Sequence, residues 1–587
     1  METIQTADKK EGIDIMAGKK KIVIIGGVAG GATAAARLRR LSETDEIIMF
    51  ERDEYISFAN CGLPYYIGEV ITDRQKLLVQ TVEGMSQRFN LDIRNLSEVT
   101  AIDAQTKTVT VLDRRTNQTY TETFDKLIVS PGASPIWPNM PGMDLDHIFK
   151  VRNIPDTDAI YNFIAERQPK TAVVVGGGFI GIEMAEALVE RGISVTVVDK
   201  SEHILRPFDY EMAAMLQNEM VAHGVTLKLE TGVSAIEADA VILEDGAKVA
   251  ADLVIMAIGV SPETKLAKMA GLELGETGAI LVNDQLQTSH PDIYAVGDAI
   301  EVKHYITGRA TKIPLAWPAN RQGRLVADHI NGRDIRYTGT LGTSVIKVFA
   351  LTAAATGLTA ELMEFQGIEY QAIHVHRGNH AGYYPGATDI SIKLLFDPKT
   401  GKILGAQAVG QEGTEKRLDV LATAIKGGLT IEDLPELELS YAPPYSSAKD
   451  PVNIAGYVAT NVFEGEKVVH WNEIDALAAE GAMLIDVRTA MEFSLGTIGN
   501  AVNMPVDELR ELAQTITVAK ETPLYIICQV GLRGHLAVSI LTAAGFTNVS
   551  NLSGGYKTYS QVYKNRQNTS CNDGICKPET AGQPLGK

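Results

Sequence analysis

The chain has 587 residues, 45% of them hydrophobic and 22% charged, and its formal net charge is −19. That length exceeds one hydrophobic core and points to about three to five domains, while the acidic balance excludes nucleic-acid binding, which needs a basic face. No apolar run is long enough to cross a bilayer, the stretch before Lys21 lacks the apolar segment of a signal peptide, and four cysteines are too few for a disulfide framework, so the expected setting is a reducing cytoplasm.

Residues 1–18 read as a loose tail. Lys21–Ile25 has the pattern of a buried strand, followed by Gly26-Gly27-Val28-Ala29-Gly30-Gly31, a helical run from Ala32 to Leu41, a second strand over Glu46–Phe50, and the acid Glu51. This is the order of a dinucleotide-binding unit. The glycines let backbone approach a pyrophosphate, the helix N-terminus favours its charge, and the acid takes a ribose hydroxyl. The fingerprint is incomplete, because Val28 stands where its second glycine belongs. Then comes Ser57-Phe58-Ala59-Asn60-Cys61-Gly62-Leu63-Pro64-Tyr65-Tyr66, with the only cysteine of the first 527 residues. A cysteine beside a nucleotide unit is a candidate for thiol redox work. Dithiol enzymes carry a second cysteine a few residues on, but here Gly-Leu-Pro follows. A disulfide partner of Cys61 must therefore come from outside, most simply as a small thiol. The alternative is a buried, inert cysteine.

Leu127–Ala133 reads as a strand ending in a small-residue turn at Ser130 and Gly132. A second unit begins with the strand Thr171–Val175. Its fingerprint is complete, with Gly176, Gly178 and Gly181, and continues into a helix over Ile182–Arg191 and a strand Ser194–Val198 that ends in Asp199. Two such units point to two dinucleotides, one lending electrons to the other. Asp199 suits the free 2′-hydroxyl of NADH and repels the 2′-phosphate of NADPH, a preference that nearby Lys200 and His203 weaken. Two more strand-to-turn transitions follow, at Leu253–Gly259 and at Ile293–Ala299. In the latter, Asp298 of Gly297-Asp298 is placed for the ribityl chain of a flavin.

This order of parts resembles the two-dinucleotide flavoprotein disulfide reductases. Ser57–Cys61 with Leu63-Pro64-Tyr65 is similar to the single-cysteine branch typified by coenzyme A-disulfide reductases, and the likeness covers roughly residues 20–460. It implies an α/β fold with two Rossmann-like domains and an α+β dimerisation domain. FAD would bind residues 19–132 and 291–340, at Gly26, Gly27, Gly31, Glu51, Arg52, Ser130, Gly132, Gly297 and Asp298. NAD(P)H would bind residues 133–290, at Gly176, Gly178, Gly181, Asp199 and Gly259. Residues 341–460 would form a homodimer. The resemblance also implies a mixed disulfide between Cys61 and coenzyme A, seated by Ser57, Asn60, Arg40, Arg37, Asn320 and Arg324. A lysine that the family carries near Arg88 is absent, which puts one phosphate contact in doubt. Tyr383, in Gly382-Tyr383-Tyr384-Pro385-Gly386, and Tyr441, in Tyr441-Ala442-Pro443-Pro444-Tyr445-Ser446, resemble tyrosines that reach the other subunit's cysteine. A phenol there could bond or protonate a departing thiolate.

Residues 463–562 resemble an α/β rhodanese domain, a sulfurtransferase. The strand Leu524–Ile527 ends at Cys528, and Cys528-Gln529-Val530-Gly531-Leu532-Arg533-Gly534 opens a helix. Backbone N–H groups at the helix start, with Arg533, are expected to lower the thiol pKa from about 8.5 to between roughly 3.5 and 7.5 and to cradle a persulfide. The short loop through Arg533 matches sulfur-transferring members. Residues 563–587, with Cys571 and Cys576, read as a loose tail without a metal site.

The resulting expectation is a homodimeric reductase that uses FAD and NADH, rather than NADPH, on coenzyme A persulfide, polysulfide or coenzyme A disulfide. Cys61 would release sulfide, and the rhodanese cysteine Cys528 would supply sulfane sulfur. No nucleic acid, membrane or metal enters the expectation. Two alternatives stay open: an NADH oxidase or peroxidase in which Cys61 cycles through a sulfenic acid, and a coenzyme A-linked redox sensor.

Overall fold

The computed structural model describes residues 19–571. Lys21–Ile25, buried from Ile22 onward, lies at the centre of a five-stranded parallel sheet. The strand order is Ile293–Ala295, Lys126–Val129, Lys21–Ile25, Glu46–Phe50, Asp92–Arg94. Such strands are covered on both faces, which is why they read as unbroken apolar runs. The helix after the first turn spans Ala29–Leu41 and so starts before the expected Ala32. Gly30 and Gly31, taken as turn, already have helical backbone, and Ala32 N–H donates to Val28 C=O at 2.8 Å.

A second parallel sheet repeats the plan in the order Thr226–Lys228, Ser194–Val198, Thr171–Val175, Leu253–Met256, Ile148–Phe149. Its helix, Phe179–Glu190, again starts a turn early. The chain leaves the first domain along Ala133–Pro135 and returns along Val260–Pro262, and these two segments pair antiparallel. The next unit is a five-stranded antiparallel sheet, in the order Ser344–Val348, Leu351–Gly357, Ile403–Gly410, Asp389–Phe396, Gln371–Gly378. Helices Thr414–Gly427 and Pro451–Phe463 pack on it. The last unit is a parallel sheet in the order Lys467–Val469, Val549–Leu552, Leu524–Ile527, Met483–Asp486, Val502–Asn503. No described helix is long and apolar enough to cross a membrane.

One expectation needs correction. Residues 563–571, part of the segment read as loose, belong to the helix Gly555–Cys571. This helix makes interdomain contacts. Asn565 is fully buried and accepts from Gln217 Nε2 at 2.8 Å, and Asn218 Nδ2 donates to the Gln561 carbonyl at 2.9 Å. Cys576 lies outside the described residues.

Helices Ala29–Leu41 and Ala316–Ile330 touch backbone to backbone, since a Cβ on Gly323 would lie 2.3 Å from the Gly30 carbonyl oxygen. Gly323→Val must push the two helices apart. It is expected to cost about 1–3 kcal/mol, visible as a lower unfolding temperature with weakened flavin retention. An unchanged melting curve contradicts this packing.

Candidate active site

Both glycine turns use one device. Glu51 Oε2 accepts Gly27 N–H at 2.9 Å, and Asp199 Oδ2 accepts Gly177 N–H at 2.6 Å. Each acid thus braces the turn that would carry a pyrophosphate, from the end of the adjacent strand. Glu51 is buried, which pushes its carboxyl up. Gly26 has φ +98°, and a Cβ there would lie 2.1 Å from the Ser130 carbonyl oxygen, so only glycine fits. Gly31 and Gly181 serve close packing, since a Cβ on either would meet the Gly26 or Gly176 carbonyl oxygen at 1.9 Å. Lys200, beside Asp199, pairs with Glu244 at 2.6 Å. His203 is buried with Nδ1 against the Ile204 carbonyl at 2.8 Å.

A cavity of about 1210 Å³ gathers residues of both folds. Gly26, Glu51, Arg52, Ser130, Gly132, Gly297 and Asp298 line it from the first, and Gly178, Glu183 and Gly259 from the second. Burial pushes the Asp298 carboxyl up to about 6. A bare-backbone turn, a braced ribose acid and a buried acid facing the same space are what an FAD needs, so the residues fit that group.

Cys61 opens into this cavity and is exposed. It sits in the single turn Asn60–Gly62, just before the short helix Leu63–Ile67. Ser57, at φ 44°, is a left-handed non-glycine residue, and its N–H donates to the Gly27 carbonyl at 2.8 Å. That strained backbone ties the cysteine segment to the first glycine turn. The Cys61 thiol is pushed up by partial burial, then by the charges of Glu183 and Asp298. Glu183 escaped the sequence reading, although it stands two residues past Gly181 on the fingerprint helix and lines the shared cavity. Burial pushes its carboxyl up to about 7, and Tyr65 Oη donates to it at 3.4 Å. Burial and Glu183 push the Tyr65 phenol up to about 12.

Ser57, Asn60 and Asn320 line the cavity with Cys61. Thr33 Oγ1 donates to Asn320 Oδ1 at 2.6 Å. Arg40 and Arg324 are exposed on the two facing helices. Arg37 Nε and Nη2 donate to Asp328 Oδ1 at 2.8 and 2.6 Å, an ion pair that ties helix to helix. Tyr383 and Tyr441 do come together, Oη to Oη at 2.9 Å. They are 75% and 49% exposed, and neither lines the Cys61 cavity. Buried Arg417 holds both tyrosine loops, through the Asn379 carbonyl at 2.7 Å, the Tyr445 carbonyl at 3.3 Å and Asp450 Oδ2 at 2.9 Å. Nothing in the sequence marks it, since an arginine on a helix ordinarily faces water.

Cys528 is fully buried, and Gly531 N–H donates to its sulfur at 3.0 Å. The cradle forms as expected, but the acidity does not follow. Burial pushes the thiol up, against the opposing pull of the Gly534, Gly531 and Val530 N–H groups and of Arg533. Arg533 is largely neutralised, because its two terminal nitrogens each donate to Glu492 at 2.7 Å. The pairing holds the Glu492 carboxyl down to about 2. In Asp486-Val487-Arg488 the two charged residues are buried and paired at 2.7 Å, and Arg488 lies 4.0 Å over the Tyr556 ring.

Residues 20–323 match the family described as pyridine nucleotide-disulphide oxidoreductase, residues 343–451 its dimerisation domain, and residues 471–561 the rhodanese-like domain. The coenzyme A disulfide reductase of Staphylococcus haemolyticus is 38% identical over 444 residues, 76% of this chain and 100% of that protein. Its Staphylococcus aureus counterpart is 40% identical over 441 residues, 75% of this chain and 99% of that protein. Among solved structures, reduced Bacillus anthracis CoADR-RHD superposes with a TM-score of 0.92 at 55% identity, covering 94% of this chain and 99% of that one. An NAD-dependent persulfide reductase from A. fulgidus gives 0.86 at 33% identity, over 92% and 100%. A water-forming NADH oxidase from Lactobacillus brevis gives 0.73 at 29% identity and covers 76% of this chain and 99% of its own.

After burial, the negative charge of Glu183 holds the Cys61 thiol up, so Glu183→Gln should move the alkylation midpoint of Cys61 down. The pH dependence of iodoacetamide labelling measures it. A midpoint that stays or rises refutes the coupling.

Proposed function

The chain belongs to the pyridine nucleotide-disulphide oxidoreductase family, and from that premise we propose that it works as a homodimeric, coenzyme A-linked sulfur reductase. Its substrates are coenzyme A persulfide, polysulfide and coenzyme A disulfide, and its fused rhodanese-like domain supplies sulfane sulfur. The observation that carries the reading is the solitary thiol. Cys61 faces a cavity built by both nucleotide folds, and the only other cysteine with a described side chain, Cys528, is buried in the rhodanese-like unit.

When bound, FAD and NADH supply the electron pair that opens a disulfide on Cys61 into two thiolates. The Cys61 thiolate attacks the coenzyme A-linked sulfur of the persulfide. A Cys61–coenzyme A disulfide forms, and the outer sulfur leaves as hydrosulfide, the lower-pKa leaving group. Ser57, Asn60 and Asn320 seat the thiol end of coenzyme A, while the exposed Arg40 and Arg324 take its phosphates. Tyr383 and Tyr441 of each protomer serve the Cys61 of the other, donating a phenol hydrogen bond to the departing coenzyme A thiolate. Their exposure on a lone chain and the buried arginine behind them support that role. Asp199 favours NADH, and the pairing of Lys200 with Glu244 and the burial of His203 support that preference. Cys528 takes sulfane sulfur from polysulfide and loads it onto coenzyme A. A reducing, cytoplasmic setting suits both thiols.

The oxidase reading has a structural relative, but one that spans only 76% of this chain. Oxygen chemistry needs neither a tyrosine pair nor a second cysteine cradle. Anaerobic NADH oxidation with coenzyme A persulfide and with polysulfide separates the readings. Cys61→Ser should abolish sulfide release from both. Cys528→Ser should slow the polysulfide reaction at least tenfold and leave the persulfide reaction intact. If both variants oxidise NADH at the wild-type rate, and only with oxygen present, the oxidase takes its place.

A further inference from the structure

Three domains meet at a buried polar junction remote from the Cys61 cavity. His374 and Lys393 are paired neighbours on two strands of the antiparallel sheet. Asp209 and Glu211 stand at the start of helix Tyr210–Ala222, in the second nucleotide fold. Ser553 follows the rhodanese-like strand Val549–Leu552. All five are buried. Lys393 Nζ lies 2.5 Å from Glu211 Oε1 and 2.8 Å from Asp209 Oδ2. The same Glu211 oxygen is 2.8 Å from His374 Nε2. With Nε2 facing that carboxylate, Nδ1 lies 3.0 Å from the Ser553 hydroxyl. The Ser553 oxygen in turn accepts the His374 backbone N–H at 3.0 Å. His374 is thus a strut with a charged anchor at one end and a single hydroxyl at the other.

That hydroxyl starts the turn behind the Cys528 loop. Gly554 has φ +71°, and a Cβ there would lie 2.8 Å from His374 Cβ. Gly555 has φ +62°, and its Cβ would lie 2.4 Å from the Cys528 carbonyl oxygen. Tyr556 N–H donates to that same carbonyl at 2.7 Å, and Lys557 N–H to the Gln529 carbonyl at 3.0 Å. His376 Nε2 lies 2.8 Å from Thr558 Oγ1, a second contact one strand position along the same face. The backbone of the sulfur cradle therefore rests on a turn that the reductase half of the chain holds. Burying this many charges is costly, and ordinary interdomain adhesion does not require them beside a cysteine loop.

We propose that His374 is a positioning residue for sulfur transfer at Cys528, fixing the cradle through Ser553 and the turn that follows it. The proposal rests on the reading of Cys528 as a sulfur carrier. In the assay the Cys528 thiolate attacks the outer sulfur of thiosulfate, sulfite leaves, and cyanide removes the sulfur from the persulfide as thiocyanate, regenerating the thiolate. The full-length enzyme is compared with Cys528→Ser, His374→Asn, His374→Gln and Ser553→Ala. Asparagine keeps an acceptor near Nδ1 for Ser553, whereas glutamine reaches Glu211 and abandons Ser553. His374→Asn should transfer sulfur within threefold of wild type. His374→Gln and Ser553→Ala should lose at least tenfold in kcat with KM for thiosulfate little changed, and alkylation at Cys528, read by peptide mass spectrometry, should change in rate. NADH-driven reduction of coenzyme A disulfide should stay within twofold in all three, as a check that the reductase is intact. Wild-type sulfur transfer by His374→Gln overturns the proposal, as does an equal fall of both histidine variants in both reactions. Wild type no faster than Cys528→Ser overturns the sulfur-carrier reading itself and takes the proposal with it.

Discussion

Opening a disulfide takes two electrons and leaves two sulfurs, and the Cys61 cavity provides one. That constraint shapes the rest of the molecule. Cys528, the other thiol with a described side chain, is buried in the core of the rhodanese-like domain. In the proposed function the second sulfur arrives on a ligand, and that ligand needs a path beside Cys61 that the cofactors do not fill. Helices Ala29–Leu41 and Ala316–Ile330 provide that edge. Their inner faces press glycine against backbone, while Arg40 and Arg324 stay in water on the outer faces. The segment carrying Cys61 is tied to the first glycine turn through the strained Ser57. Nucleotide binding and thiol placement thus share one piece of backbone.

Buried charge organises the parts that apolar packing leaves free. Arg417 with Asp450 holds the two tyrosine loops. Asp486 with Arg488 braces the floor of the rhodanese-like domain beneath Tyr556. Lys393 with Glu211 and Asp209 joins the antiparallel sheet to the second nucleotide fold, and His374 carries the set on to Ser553 of the rhodanese-like unit. Stranding one partner of such a pair is far more costly than the pair itself contributes. These sets therefore specify where loops lie more than they add stability. Each stands behind a residue to which the proposed function gives chemical work, either the Tyr383–Tyr441 pair or Cys528.

The strands of both nucleotide folds are legible because parallel-sheet strands are apolar on both faces; Lys21–Ile25, Glu46–Phe50, Thr171–Val175 and Ser194–Val198 stand as read. The two helix starts were read late because glycine-rich residues signal a turn even where their backbone is already helical. Side-chain roles that depend on distant partners were not legible. Arg37 and Asp328 lie 291 positions apart, and the spacing that puts Arg37 on a helix says nothing about the acid opposite. Arg533 has the same history, with Glu492 claiming its charge. Glu183 sat in plain view but carried no motif of its own. The helix beyond residue 562 was misread because its asparagines and glutamines look solvated until the neighbouring helix is in place.

In the proposed function Cys61 works as half of a mixed disulfide with coenzyme A. Intact-protein and peptide mass spectrometry, performed anaerobically on enzyme first exposed to coenzyme A disulfide, reads that bond. One coenzyme A is expected on the Cys61 peptide, released as free thiol when NADH is added and never formed in Cys61→Ser. A Cys61 peptide that gains only oxygen, or that keeps its coenzyme A through NADH treatment, would contradict it.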